Sequence, residues 1–131
     1  MAFVEMNNNP FNKKVGDCVV RAIALALFED WDRIYLDLML EGYALKDMPT
    51  ANYVWGSYLH RWGFTRHAIP NTCPRCYSVR DFCEDHPNGT YILGTGTHVI
   101  CVRNGDWIDT WDSGDEVPVF YWERGEINNG V

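Results

Sequence analysis

Nowhere do the 131 residues contain a run of about 18 apolar side chains, so no stretch reads as a membrane span. The opening Met1-Ala2-Phe3-Val4-Glu5-Met6-Asn7 also lacks the basic and apolar regions of a signal peptide, and the expectation is a cytoplasmic protein that engages no membrane. Basic clusters are missing as well. Eleven Lys and Arg stand against 18 Asp and Glu, a formal net charge of -7, whereas a surface that tracks phosphates needs clustered cations. Nucleic acid is therefore not an expected partner. The five cysteines cannot all pair internally, and with nothing pointing to export, reduced thiols are the default. Internal repeats, linkers and low-complexity segments are absent too, so residues 1–131 read as one domain, long enough to bury a single core.

Large rings are plentiful: six Trp, seven Tyr and six Phe, spread over the whole chain and best explained as core. Residues 6–12, rich in Asn with Pro10, read as an irregular lead-in. Asp17 can cap a first helix from Cys18 to about Phe28, and Asp32 a second from Arg33 to about Tyr43, with Glu41-Gly42 near its end. Thr50 can cap a third from Ala51 to Trp62, stopped by Gly63. Phe64 to Ile69 then alternates like a strand, and Ser78 with Asp81 offers a capping box for a short helix to about Asp85. Thr90 to Leu93 reads as a strand. Thr97–Arg103 and Asp106–Trp111 flank Asn104-Gly105, a strong hairpin signal, and Pro118–Trp122 reads as the last strand. Helices first and strands second make an α+β fold, with N-terminal helices packed on a C-terminal antiparallel sheet.

Cys18 follows Gly16-Asp17 and opens the apolar run Val19–Leu27. First-turn N–H groups and the positive end of a helix dipole favour thiolate over thiol, so a cysteine there is a candidate nucleophile. It also fits a small buried hydrophobe, because a placed thiol without a base is not activated. His98, just after Gly94-Thr95-Gly96-Thr97, is the candidate base. A two-residue loop at Asn104-Gly105 pairs Arg103 with Asp106 and sets His98 opposite Trp111. Asp109 then shares its face on a diagonal of about 7 to 8 Å. A three-residue loop would instead bring Asp112 to His98, although Asp112 also suits a turn cap before Ser113-Gly114. Hairpin register thus decides which aspartate orients the base.

These residues resemble a papain-like cysteine peptidase: a Cys opening the first long helix, a His at a strand start, and Asp109-Thr110-Trp111, similar to the family's Asn-Ser-Trp setting. The compact form is similar to the small papain-like domains of bacteria and phages. The resemblance implies Cys18 as nucleophile, His98 as base and Asp109 as the residue orienting the ring. It also implies an oxyanion donor six residues before the cysteine, where Asn12 stands in place of the family's Gln. A protein or peptide substrate, attacked at an amide or isopeptide bond without a cofactor, is the implied chemistry.

A second pattern, Cys73-Pro74-Arg75-Cys76 followed by Cys83 and His86, has the ligand types of a tetrahedral zinc site. Against that, Val79, Phe82, Cys83 and His86 keep helical spacing, which also makes Cys83 a core residue. The rival to an enzyme is an interaction module, stapled by zinc at this array, whose acidic surface engages a protein.

Overall fold

The computed structural model describes residues 1–125. Ten elements follow one another: β1 (Phe3–Glu5), α1 (Cys18–Leu27), α2 (Trp31–Leu45), α3 (Asn52–Arg61), β2 (Phe64–Ala68), α4 (Val79–Asp85), β3 (Thr90–Gly94), β4 (Val99–Arg103), β5 (Asp106–Asp109) and β6 (Phe120–Arg124). The strands form one six-stranded sheet in the order β1-β5-β4-β3-β6-β2. The fold is α+β, but the sheet is mixed and not wholly antiparallel: β1 runs parallel to β5, with Val4 opposite Ile108. Three residues at the chain start carry too little pattern to announce a strand, and only the free edge of β5 gives them backbone partners. Among the described residues no helix is long and apolar enough to cross a membrane.

Strand alternation splits the core in two. Ile92, Val99, Cys101 and Ile108 face the side covered by α1 to α3, where Ile23, Ile34, Trp55 and Leu59 are fully buried. Leu93, Ile100, Val102 and Trp107 face the other side, where α4 lays down Val79, Phe82 and Cys83. Each such large apolar side chain contributes roughly 1.5–3 kcal/mol by leaving water. The first three helices therefore cover one face, and α4 alone covers much of the second.

Helix ends differ in detail from the sequence reading. Helix α2 starts at Trp31 with Asp30 at its N-cap and runs past Gly42 to a left-handed Lys46. Gly42 does not stop the helix; a Cβ there would lie 2.6 Å from the Asp47 carbonyl oxygen, so the position is small because the chain folds back against it. Ser78 and Asp81 do form the expected capping box of α4. The hairpin adopts the two-residue loop, Arg103 pairing with Asp106, with Asn104 (φ 50) and Gly105 (φ 81) both left-handed. That is the geometry a twisted hairpin needs, and it fixes the register at the site.

Candidate functional site

Helix α1 packs on β4, so its N-terminus meets the start of that strand. Cys18 lies at the helix start, His98 one residue before β4, and Asp109 at the last residue of β5. At these strand ends the ladder holds side chains to one face less firmly, and both His98 and Asp109 reach Arg21 or Cys18 of α1.

His98 Nε2–H donates to Asp109 Oδ2 at 2.6 Å, leaving Nδ1 as the ring nitrogen available to Cys18. Asp109 is 1% exposed and accepts four hydrogen bonds. Besides His98, Ser113 Oγ donates to Oδ2 at 2.7 Å, while the Thr110 N–H at 2.8 Å and Arg21 Nη1 at 3.2 Å donate to Oδ1. Burial pushes the Asp109 carboxyl up, yet the His98, Ser113 and Thr110 donors and the charge of His98 hold it below the usual carboxylate range. Burial alone would make His98 harder to protonate, but its bonds to Asp109 and Cys18 and their charges raise it to about 9. For Cys18, burial also opposes ionisation. Hydrogen bonds with the His98 ring and the Val99 N–H, together with the charges of His98 and Arg21, bring the thiol below its ordinary value. Both shifts run toward a thiolate beside an imidazolium.

Trp111 lies against the His98 ring, centroids 5.0 Å apart. Asp112 is elsewhere engaged: its Oδ1 accepts from Trp107 Nε1 at 2.9 Å and the Gly114 N–H at 3.0 Å, the turn-cap role. The two-residue register therefore selects Asp109.

Asp17 heads α1 without capping it. Its carboxylate instead accepts from Arg21 Nε at 2.8 Å, Trp31 Nε1 at 3.0 Å and Asn9 Nδ2 at 3.2 Å. The first-turn N–H groups are thereby left without a side-chain cap at the helix end that Cys18 begins. Arg21 is the hinge of this arrangement. Buried at 7% exposure, it spans Asp17 and Asp109 and ties the start of α1 to the residue that holds His98.

Asn12 is not brought to the others. Asn9 Oδ1 accepts from the N–H groups of Phe11 and Lys13, curling the lead-in into a tight loop. Asn12 occupies its exposed, left-handed corner at φ 55, outside the cavity over Cys18. That cavity, about 260 Å³, is lined by Gly16, Cys18, Thr50, Asn52, Thr97 and His98 among others, and Asn52 is the amide-bearing residue of that lining.

The cysteine array does not converge. Cys73 and Cys76 are exposed on a loop, their sulfurs 2.8 Å apart. Cys83 is fully buried beneath the sheet, and burial pushes its thiol up to about 12. His86 stacks on Phe82 with ring centroids 3.9 Å apart and its Nδ1 lies 2.9 Å from the Phe82 carbonyl. Among the described residues no three His, Cys, Asp or Glu side chains gather as metal ligands would.

Sequence reading missed Arg21, Asn9, Ser113 and Asn52. For Arg21 a signal existed: one cation inside an otherwise apolar helix, four residues after Asp17, is a buried charge that needs partners. For the others no comparable signal is present. Comparison with known proteins returns no matching family model, curated protein or solved structure.

Proposed function

We propose that the protein is a cysteine-dependent acyl-transfer enzyme that hydrolyses an amide or isopeptide bond in a protein or peptide, with an active site of papain-like type. The observation that carries this reading is that Cys18, at the start of α1, and His98 line one cavity, with the His98 ring held 2.6 Å from a buried Asp109. The thiolate of Cys18 adds to the substrate carbonyl carbon. Negative charge develops on the carbonyl oxygen, where the uncapped Cys18 N–H and the Asn52 amide are the available donors. As the C–N bond breaks, His98 gives its proton to the departing amine, leaving a thioester on Cys18. Neutral His98 then takes a proton from water, the hydroxide attacks the thioester, and collapse releases the acid and restores the thiolate. Asp109 keeps its charge throughout, holding the ring in place and stabilising the imidazolium.

Limiting iodoacetamide, applied across pH with the labelled site mapped, tests the reading. Labelling of Cys18 that persists below neutral pH and disappears in His98→Ala is the expected result. Uniform slow labelling of the exposed cysteines would overturn it.

A further inference from the structure

Cys73 and Cys76 are the two exposed cysteines of the chain, and the site around Cys18 makes no use of them. The loop that carries them is held at both ends: the Ile69 N–H donates to the Val119 carbonyl, and the Val79 N–H to the Glu116 carbonyl. Between those anchors a tight turn sets the sulfurs. The Arg75 N–H donates to the Thr72 carbonyl at 3.0 Å, the Thr72 hydroxyl donates to the Arg75 carbonyl, and the Cys73 N–H donates to Asn71 Oδ1 at 3.0 Å. Thr72 and Tyr77 line a cavity with Phe82 and His86, so the loop lies on the α4 side of the sheet, away from α1.

Spacing chooses between two kinds of chemistry for such a pair. Two thiolates on one tetrahedral zinc, each about 2.3 Å from the metal, stand about 3.8 Å apart. A disulfide brings the sulfurs to about 2.05 Å. At 2.8 Å the Cys73 and Cys76 sulfurs are closer than a metal bridge allows and short of a bond. Among the described residues no third ligand joins them. Competing disulfides are closed off too, because Cys83 and Cys101 are fully buried and Cys18 belongs to α1 across the sheet. We propose that Cys73 and Cys76 form a thiol–disulfide exchange site whose substrate is a low-molecular-weight disulfide of the glutathione type. A small disulfide reaches sulfurs on an exposed turn without a docking surface. The hydrogen bond to Cys73, with burial and the Cys73 charge, pushes the Cys76 thiol up, so Cys73 attacks first and Cys76 resolves. The Cys73 thiolate adds to one sulfur of the substrate, its S–S bond breaks, and the first small thiolate leaves. Cys76 then gives up its proton to that thiolate and attacks the Cys73 sulfur, expelling the second. Two protein thiols are oxidised to one disulfide and the substrate is reduced to two small thiols. The site is separate from Cys18 and stands whether or not the acyl-transfer reading does.

The reduced full chain is equilibrated with a buffer of reduced and oxidised glutathione, trapped with N-ethylmaleimide, unfolded and cut with trypsin. Cleavage after Arg66, Arg75 and Arg80 separates residues 67–75 from 76–80, so these peptides stay joined only where Cys73 is bonded to Cys76. In the native chain the ratio of joined to reduced peptides should exceed that of the urea-unfolded chain by about tenfold or more, because the turn already holds the sulfurs in contact. Cys76→Ser should stop with glutathione on Cys73. Cys73→Ser should take up glutathione at Cys76 roughly threefold more slowly or less readily still. A ratio no higher in the folded chain than in the unfolded one overturns the proposal, as does glutathione left unresolved on Cys73 of the natural chain. One zinc ion retained by the reduced chain through gel filtration, and lost in Cys73→Ser and Cys76→Ser, would assign the pair to a metal and overturn it too.

Discussion

Cys18 and Cys83 both begin or ride a helix, both stand near a histidine in space or sequence, and their thiols are driven in opposite directions. At Cys18 the sheet delivers an imidazole, backed by a buried carboxylate, to a helix end whose N–H groups no side chain caps. At Cys83 the same residue type is buried in an apolar cluster, and burial pushes its thiol up to about 12. The neighbouring His86, three residues on, spends its ring on Phe82. Proximity in sequence favoured the second cysteine; proximity in space favours the first. Chemistry at a thiol is set by which charges and donors the fold brings to it, because desolvation by itself always disfavours the thiolate.

The contrast is open to direct attack. Its widest margin is reactivity: at pH 6 Cys18 should be alkylated in the native protein while Cys83 and Cys101 remain protected until it unfolds, as mass mapping with and without denaturant can show. Next in size is Arg21→Met, which strands two buried carboxylates that share one guanidinium. It should cost about 3–5 kcal/mol in denaturant unfolding. In His98→Ala the thiol should return toward the ordinary cysteine range, and its alkylation at pH 6 should slow on the order of a hundredfold. His98 also leaves a signature in stability. Its folded value of about 9 lies above the ordinary 6.5, so the protonated ring stabilises the fold fully below about pH 6.5, and that contribution is lost as pH rises through about 9. Urea midpoints of His98→Ala should therefore lack the decline that the natural chain shows over that window. Asp109→Asn should disturb the pH profile of Cys18 alkylation, whereas Asp112→Asn should leave that profile in place, since Asp112 serves Trp107 and the Gly114 turn. The smallest effect belongs to Cys73→Ser and Cys76→Ser, exposed positions where the unfolding free energy should move by only about 0.5 kcal/mol.

Much of the fold was legible because the signals were local. The Ser78 capping box, the Asn104-Gly105 turn and the helices from Cys18 and Asn52 follow from neighbours a few residues apart. The parallel strand β1 was not, since its partner lies about 100 residues away in sequence and three residues make no period. Within the site, Cys18, His98 and Asp109 could be named from a helix start and a hairpin register. Asn12 could not be placed correctly, because its position depends on how Asn9 curls the lead-in through side-chain bonds that leave no periodic trace.

The amino-acid order by itself determined the α+β class, the helix that opens on a thiol and the turn that sets His98 and Asp109 at the same end of a strand pair. Packing of α1 across β4 decided the rest. It brought Cys18 to His98, closed Arg21 between two carboxylates, left Asn12 outside and set an apolar cavity beside the start of α1. Those are long-range juxtapositions, fixed by burying side chains from distant segments against one another, and the spacing of residues along one segment holds no record of them.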